Sequence, residues 1–248
     1  MELKGKTAIV TGGTSGIGFS TAQAFLEKGA KVVVVGRNAQ RGENAVAELS
    51  KISADVVFYQ GDTSDESSVK GLVDFAVEKF GSLDVMVNNA GIGIHGTVDE
   101  LSADDWAKVI DINLNGVFYG TKYAAIQMKK QGKGGAIIST SSIEGVIGDP
   151  LIPSYCAAKG GVNQLAKSSA LSLAKDGIRV NTVNPGYVDT PLVSVEAIGQ
   201  ELHDALVAMH PLGRFAKPEE IAHAIIFLAE NEFITGTHLI VDGGYTAR

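Results

Sequence analysis

Thr11-Gly12-Gly13-Thr14-Ser15-Gly16-Ile17-Gly18 sets the architecture through what flanks it. Upstream, Thr7–Val10 is a short apolar, partly β-branched run that reads as a buried strand. Downstream, Ile17–Lys28 carries apolar residues at helical spacing. A strand, a glycine-rich turn and a helix in immediate succession open a parallel α/β sheet. Glycines allow the backbone to approach a pyrophosphate closely. The helix start presents unpaired N–H groups and the positive end of its dipole to that anion. Gly12, Thr14, Ser15, Gly16, Ile17 and Gly18 are therefore candidate cofactor-binding residues, the alternative being a tight turn with no ligand.

The same alternation continues along the chain. Lys31–Val35, Asp55–Tyr59, Val85–Val87, Gly135–Thr140, Arg179–Val183 and His238–Val241 read as further strands. Helical patterns fall between them at Gln40–Ser50, Glu66–Phe80, Asp104–Lys130, Tyr155–Lys175 and Pro218–Ala229. Asp104-Asp105 and Pro218-Glu219-Glu220 put carboxylates and proline where helix starts favour them. The expected fold is a Rossmann-like doubly wound α/β sheet of about seven parallel strands with helices on both faces. No linker or repeat interrupts it, so 1–248 is read as one domain. The irregular stretch Gly186–Arg214 follows the sixth strand, at the end of the sheet where ligands bind. It is a candidate substrate lid, or an ordinary surface helix pair.

Composition narrows the partners. The 248 residues are 45% hydrophobic and 20% charged, with a formal net charge of −7. That balance argues against nucleic acid as the main partner and provides no basic membrane patch. No apolar run reaches membrane-spanning length. Met1–Lys6 lead straight into the first strand, so no secretion signal is expected. The single cysteine, Cys156, suits a reducing cytoplasm and allows no internal disulfide. Its place on a helix makes it a packed small residue, or a thiol made reactive by Tyr155 and Lys159. The five histidines are scattered, and no metal site is read from spacing.

Tyr155 and Lys159 stand four residues apart, on one face of a helix. An ammonium beside a phenol favours the phenolate, so the tyrosine pKa is expected to fall toward working pH and make a general acid or base. The second strand ends Val35-Gly36-Arg37. Glycine stands where NAD sites usually carry an acid, and the next residue is a cation able to accommodate a 2′-phosphate. NADP(H) is expected over NAD(H). Asn38 and Arg41 can share that role. Asp62, after the third strand, can accept from an adenine amino group or cap the next turn. Asn88-Asn89-Ala90-Gly91 ends the fourth strand beside the expected adenosine and partly braces it.

Taken in order, the glycine-rich turn, Asn88-Asn89-Ala90-Gly91, Asn113, Ser142, Tyr155-x3-Lys159 and Asn184-Pro185-Gly186 resemble the classical short-chain dehydrogenase/reductase family over the whole length. Ser142-Ile143-Glu144-Gly145, Gly148-Asp149-Pro150, Pro185-Gly186-Tyr187, Thr190-Pro191-Leu192 and the ending from Val241 to Ala247 look like bacterial R-specific, NADP-dependent secondary alcohol dehydrogenases. The resemblance implies that Tyr155 protonates a carbonyl oxygen, Ser142 holds that oxygen, and Lys159 binds the nicotinamide ribose and lowers the tyrosine pKa. Asn113 would anchor a relay water. Ser139, Thr140 and Ser141 compete with Ser142, and Asn115 with Asn113. Spacing to Tyr155 selects Ser142, and the pattern Asn113-Leu-x-Gly-Val-Phe118 selects Asn113.

Cofactor contacts carried over include Asn89, Ala90, Gly91, Pro185, Gly186, the Val188 backbone and Thr190 at the carboxamide. Glu144, Tyr187 and Leu151–Pro153 should line a mixed pocket for a ketone with one small and one bulky substituent. Glu144 reads equally as a solvated turn carboxylate. Trp106 reads as core or subunit packing, and His95 as a loop residue near the pocket mouth. The family forms homotetramers through the Asp104–Lys130 and Tyr155–Lys175 helices and C-terminal elements. The resembled dehydrogenases carry a structural Mg2+ near the C-terminus, but Arg248 puts a cation where a neutral residue would stand, which counts against it. The competing readings are a 3-oxoacyl-carrier-protein reductase, docking through Lys129, Lys130 and Lys133, a sugar or steroid dehydrogenase, and a non-catalytic cofactor-binding regulator.

Overall fold

The computed structural model describes residues 1–190 and 193–247; Pro191-Leu192 of the motif above and the terminal Arg248 lie outside the described residues. The chain runs β1 (Thr7–Thr11), α1 (Gly16–Glu27), β2 (Lys31–Gly36), α2 (Ala39–Leu49), β3 (Val56–Gln60), α3 (Glu66–Phe80), β4 (Val85–Asn88) and α4 (Ala103–Ile110). A π-turn (Asp111–Asn115) leads into α5 (Gly116–Gln131), then β5 (Gly135–Thr140), α6 (Pro153–Leu173) and β6 (Ile178–Pro185). The remainder is α7 (Val195–Ile198), α8 (Gln200–Ala208), α9 (Pro218–Glu230) and β7 (His238–Val241).

The strands form one seven-stranded sheet in the order β3-β2-β1-β4-β5-β6-β7, with every pairing parallel. The expected doubly wound sheet is therefore observed. Its strands read as near-continuous apolar runs because both faces are covered. Val32 and Val34 face one core with Phe25, Ile221 and Ile225, whereas Val33 and Val35 face the other with Leu72, Met128 and Ala166. β1 and β4 alternate in the same way, with Ile9 and Met86 on the second side. The order in which strands are added reverses between β1 and β4, where β1 leads out toward β2 and β4 toward β5. That switch point opens a crevice beyond the carboxyl ends of the strands.

Two boundaries differ from expectation in ways that matter. The predicted continuous helix Asp104–Lys130 is divided by the π-turn at 111–115. One extra residue in a turn barely alters apolar periodicity, so the sequence pattern runs through it unmarked. β6 continues two residues past Val183, which places Asn184 and Pro185 on the strand itself. Trp106 is 42% exposed, which removes it from the core.

Both edges of the sheet stop abruptly. β3 ends at the exposed Gln60. β7 has four residues and runs into a turn closed by Asp242, whose carboxylate accepts from Gly244 N at 2.9 Å and Thr246 N at 2.8 Å.

Candidate active site

The glycine-rich turn is tight for a stereochemical reason. Gly12 and Gly16 have φ of 64° and 51°, in the left-handed region that side chains rarely occupy. A Cβ on Gly18 would lie 2.3 Å from the Gly12 carbonyl oxygen. Ser15 caps α1 without any side-chain bond, and the first turn of the helix holds no carboxylate. The amides at that end therefore face the crevice without an internal competitor. Thr14 lies along the wall toward β2, since a Cβ on Gly36 would meet Thr14 Cγ2 at 2.9 Å. Ile17 is partly buried against the core and fixes the helix to the sheet.

Arg37 is exposed beyond the end of β2, with its carbonyl accepting from Gln60 Nε2 at 3.0 Å. Asn38 takes the N-cap of α2 by accepting from Arg41 N at 2.9 Å. Asp62 caps the turn after β3. Its Oδ1 accepts from Ser64 N (2.9 Å) and Ser64 Oγ (2.7 Å). Burial raises the Asp62 pKa, but those bonds together with the Arg37 charge leave it below the ordinary carboxylate value.

Asn89 braces the turn, as expected in part. Its Nδ2 donates to Thr11 O at 3.0 Å, and Thr140 Oγ1 donates to its Oδ1 at 3.2 Å. Thr11 Oγ1 accepts from Asn89 N (2.9 Å) and Ala90 N (3.1 Å). Gly91 lets the chain pass close to the centre of the site. A Cβ there would lie 3.1 Å from Asn113 Oδ1 and 3.7 Å from Lys159 Nζ.

Asn113, Ser142, Tyr155 and Lys159 converge at the carboxyl ends of β4, β5 and β6. Asn113 is fully buried in the π-turn and clasps Ile92, accepting from its N–H at 2.8 Å and donating to its carbonyl at 2.7 Å. Asn115 instead donates to Asp111 on the exposed side. Ser142, just past β5, is held by its backbone, since Asn184 Nδ2 donates to its carbonyl at 2.8 Å. Its hydroxyl donates to Glu144 Oε2. Ser141, a rival in sequence, is occupied by donating to Lys159 O at 3.0 Å. Asn163 ties the turn after Ser142 to α6 and β6 by donating to Gly145 O at 3.1 Å and accepting from Thr182 Oγ1 at 3.0 Å.

Lys159 is buried. Its ammonium donates to Thr140 O at 2.7 Å and sits 5.3 Å from the centre of the Tyr155 ring. Burial pulls its pKa down to about 8, against an opposing pull from Glu144. The expectation that Lys159 depresses the Tyr155 pKa is not met in this arrangement. Burial of the phenol, then the Glu144 carboxylate, push Tyr155 well above its ordinary value, and the Ser142 hydroxyl offsets only part of this. The ammonium is turned to the Thr140 carbonyl, and desolvation penalises phenolate and ammonium alike.

Pro185 ends β6 and Gly186 follows it. A Cβ on Gly186 would lie 3.0 Å from both Asp242 Cα and His210 Nε2. Val188 is buried and bridges to Ala216, and Thr190 reaches back to Gly16, its Cγ2 3.2 Å from a Cβ there. Glu144 is only 8% exposed, so it is not a solvated turn residue. Tyr187 stacks on Phe215 at 5.8 Å and meets His210 and Tyr245 edgewise or tilted. Leu151 is half exposed, its carbonyl accepting from Gly96 N at 2.8 Å, which brings the loop carrying His95 against the predicted pocket loop.

Sequence reasoning missed His210. It is buried, Nδ1 donates to Leu206 O at 2.8 Å, and Nε2 accepts from Tyr187 N at 3.3 Å. It thereby ties the segment after β6 to α8. No local pattern marks its role, because the partner that matters, the Tyr187 amide, comes from tertiary packing.

A larger cavity of about 400 Å³ lies at the opposite end of the sheet, among Lys6, Asp84, Lys133 and Arg179 at strand amino ends, away from this cluster. Lys129 is paired with Asp176 at 3.1 Å, which weakens the predicted basic docking patch. Among the described residues no group of His, Cys, Asp and Glu stands ready to hold a metal ion, and no helix is long and apolar enough to cross a membrane.

Crossover order and crevice define a dinucleotide-binding α/β protein. Residues 12–246 match a family model described as enoyl-(acyl carrier protein) reductase. An NADP-dependent (R)-specific alcohol dehydrogenase of Lentilactobacillus kefiri is 46% identical, covering 100% of this chain and 99% of that protein. A cyclohexanol dehydrogenase of Acinetobacter sp. (strain SE19) is 41% identical, covering 100% and 97%. A crystal structure of a short-chain type dehydrogenase/reductase from Mycobacterium marinum superposes with a TM-score of 0.94 at 34% identity, covering 100% and 98%. The chain belongs to the short-chain dehydrogenase/reductase family.

The tight approach at the turn is testable. Gly18→Ala places a methyl group against the Gly12 carbonyl and costs about 1–3 kcal/mol by overpacking. The expected result is a lower Tm together with weaker NADPH binding in a fluorescence titration. Wild-type values for both would contradict the geometry.

Proposed function

We propose that this protein is an NADP(H)-dependent carbonyl reductase and secondary alcohol dehydrogenase acting on CH–OH groups, R-selective in its product. The observation that carries the reading is the convergence of Tyr155 with the buried Ser142 and Lys159 beside a glycine-lined helix start. The names of the relatives from Lentilactobacillus kefiri and Acinetobacter support the substrate class, and the first of them supports NADP and the R product.

The crevice fits a dinucleotide. The positions of Gly12 and Gly18 leave no room for side chains, and the uncapped end of α1 suits a pyrophosphate. Thr14, Ser15, Gly16 and Ile17 would line it, with Asp62, Asn89, Ala90 and Gly91 on the adenosine side and Arg37 at a 2′-phosphate. Lys159, Pro185, Gly186, Val188 and Thr190 would hold the nicotinamide end. When bound, the nicotinamide supplies or accepts the hydride.

The chain's own groups supply the rest. Tyr155, kept protonated by burial, donates its proton to the carbonyl oxygen in reduction. Ser142 donates a hydrogen bond to the same oxygen as charge develops there. With the side chain of Asn113 engaged by Ile92, its main chain would hold a relay water. Glu144, Tyr187 and the loop around Leu151 form a pocket with an apolar wall and few polar points. The segment 186–214 acts as the lid of a single 1–248 domain. Exposed Phe118, Ile126 and Leu171 on α5 and α6 support a homotetramer, and the composition supports a cytoplasmic protein.

NADPH and NADH oxidation measured against acetophenone, a β-ketoester and an acetoacetyl thioester tests the reading. Fast NADPH-linked reduction of the simple ketones is expected. Activity confined to the thioester would make it an acyl-carrier-protein reductase, and silence on all three would shift it to sugars, steroids or a non-catalytic role. Tyr155→Phe should retain NADPH binding and lose roughly 10²–10⁴-fold in kcat; near-normal turnover would overturn the assignment. Gly36→Asp, which must displace Thr14 slightly, should move the NADPH/NADH preference by roughly tenfold or more toward NADH, on the order of 1.4 kcal/mol. An unchanged ratio would refute the account of Arg37.

A further inference from the structure

The functional reading gives Ser142 one task, to donate its hydroxyl proton to a substrate oxygen. In the structure that proton is already committed to Glu144 Oε2. A serine hydroxyl has a single hydrogen to donate, so it cannot serve an ionised Glu144 and a carbonyl at once. Both residues are buried, at 6% and 8% exposure, and the turn carrying them is fixed by Asn184 on Ser142 O and Asn163 on Gly145 O. Glu144 is thus held largely out of water beside the Ser142 hydroxyl. Among the described residues it makes no ion pair. The one buried ammonium nearby, Lys159, is directed to Thr140 O.

We propose that Glu144 is a positioning residue that sets the direction of the Ser142 hydroxyl, releasing it to the substrate only while Glu144 carries a proton. Protonated, the carboxyl becomes the donor to Ser142 Oγ, and the serine proton turns to the carbonyl. Ionised, Glu144 reclaims it. This inference rests on the assignment of Ser142 above and goes further, giving the site a gate upstream of Tyr155.

The surroundings set where the gate lies. Burial pushes the Glu144 pKa up, and Asp149 from the following loop pushes the same way. The Ser142 bond and the Lys159 charge from α6 oppose them without cancelling the rise. Tyr155 and Cys156 on α6 and Tyr187 beyond β6 also feel the Glu144 charge, and each is itself raised. Because Tyr155 is held far above its ordinary value, loss of its own proton comes later on the pH axis than loss of the Glu144 proton.

The sign follows from linkage. A carboxyl whose folded-state pKa is raised contributes stability below its unfolded pKa, and that stability is lost as pH rises through the folded value. Reduction should decline above the folded value, where the stability loss is already complete. The test compares wild type, Glu144→Gln and Glu144→Asp from about pH 4 to about pH 9. The readouts are Tm of the cofactor-free protein and kcat/KM for NADPH-linked ketone reduction.

In wild type, kcat/KM should fall about tenfold per pH unit beyond the Glu144 pKa, as for one ionisation. Tm should fall relative to Glu144→Gln as pH climbs from the ordinary carboxylate range up to that pKa, and level off beyond it. The Gln variant, always neutral and able to donate to Ser142, should lack both limbs, and the Asp variant should restore them. A pH-independent Tm difference, or a Gln profile keeping the wild-type limb, overturns the gate while leaving the ketone reading intact. A wild type inert toward every ketone at every pH overturns both.

Discussion

The hydroxyl of Thr11 holds the two halves of the sheet together where they diverge. It donates to Val87 O at 3.3 Å and accepts from the N–H groups of Asn89 and Ala90. One side chain at the end of β1 therefore fixes the end of β4. The glycine-rich turn and the Asn-Asn-Ala-Gly turn then face each other across a crevice of set width. Asn89 passes that constraint on to Thr140 at the end of β5, and the Thr140 carbonyl in turn receives Lys159. A chain of short polar contacts thus runs across three strand ends and finishes at the ammonium. Buried polar groups of this kind are costly unless satisfied, so each one narrows the positions open to the next.

Electrostatics in the site is governed by dryness more than by pairing. Lys159, Tyr155, Glu144 and Tyr187 are all displaced from their ordinary pKa values toward the neutral form, and burial is the largest cause for each. Glu144, Tyr155 and Tyr187 thereby hold their protons more tightly than solvated groups would, while Lys159 releases its own more readily. This suits donation to a carbonyl, because the acid is present in its protonated form before substrate arrives.

The doubly wound sheet was legible because strand and helix periods differ and the glycine turn stands between them. The converging residues were legible because Asn113, Ser142 and Tyr155-x3-Lys159 resemble a family motif in order, and only Ser142 was also marked by its place just past a strand. What escaped depends on contacts between distant segments. The π-turn adds a residue without disturbing the apolar rhythm, and its meaning appears only when Asn113 meets Ile92. Glu144 could be a solvated carboxylate or a buried one until the turn after β5 is seen packed against α6. The Tyr155 shift was misjudged because adjacency to Lys159 is visible in sequence and desolvation is not. His210 was passed over because its bond to Leu206 is an ordinary helix-end contact, and the Tyr187 amide becomes its partner only when the segment after β6 folds back.

The ends of the sheet have a consequence for how copies of this chain behave in concentrated solution. A long, flat, unpaired edge strand is a template on which another chain can add. Here β7 offers four residues before the Asp242 turn deflects the backbone, and β3 ends at the polar, exposed Gln60. Neither border can nucleate an extended intermolecular ladder. A contact between copies would have to form on the helical faces, where an added chain finds no ladder to extend.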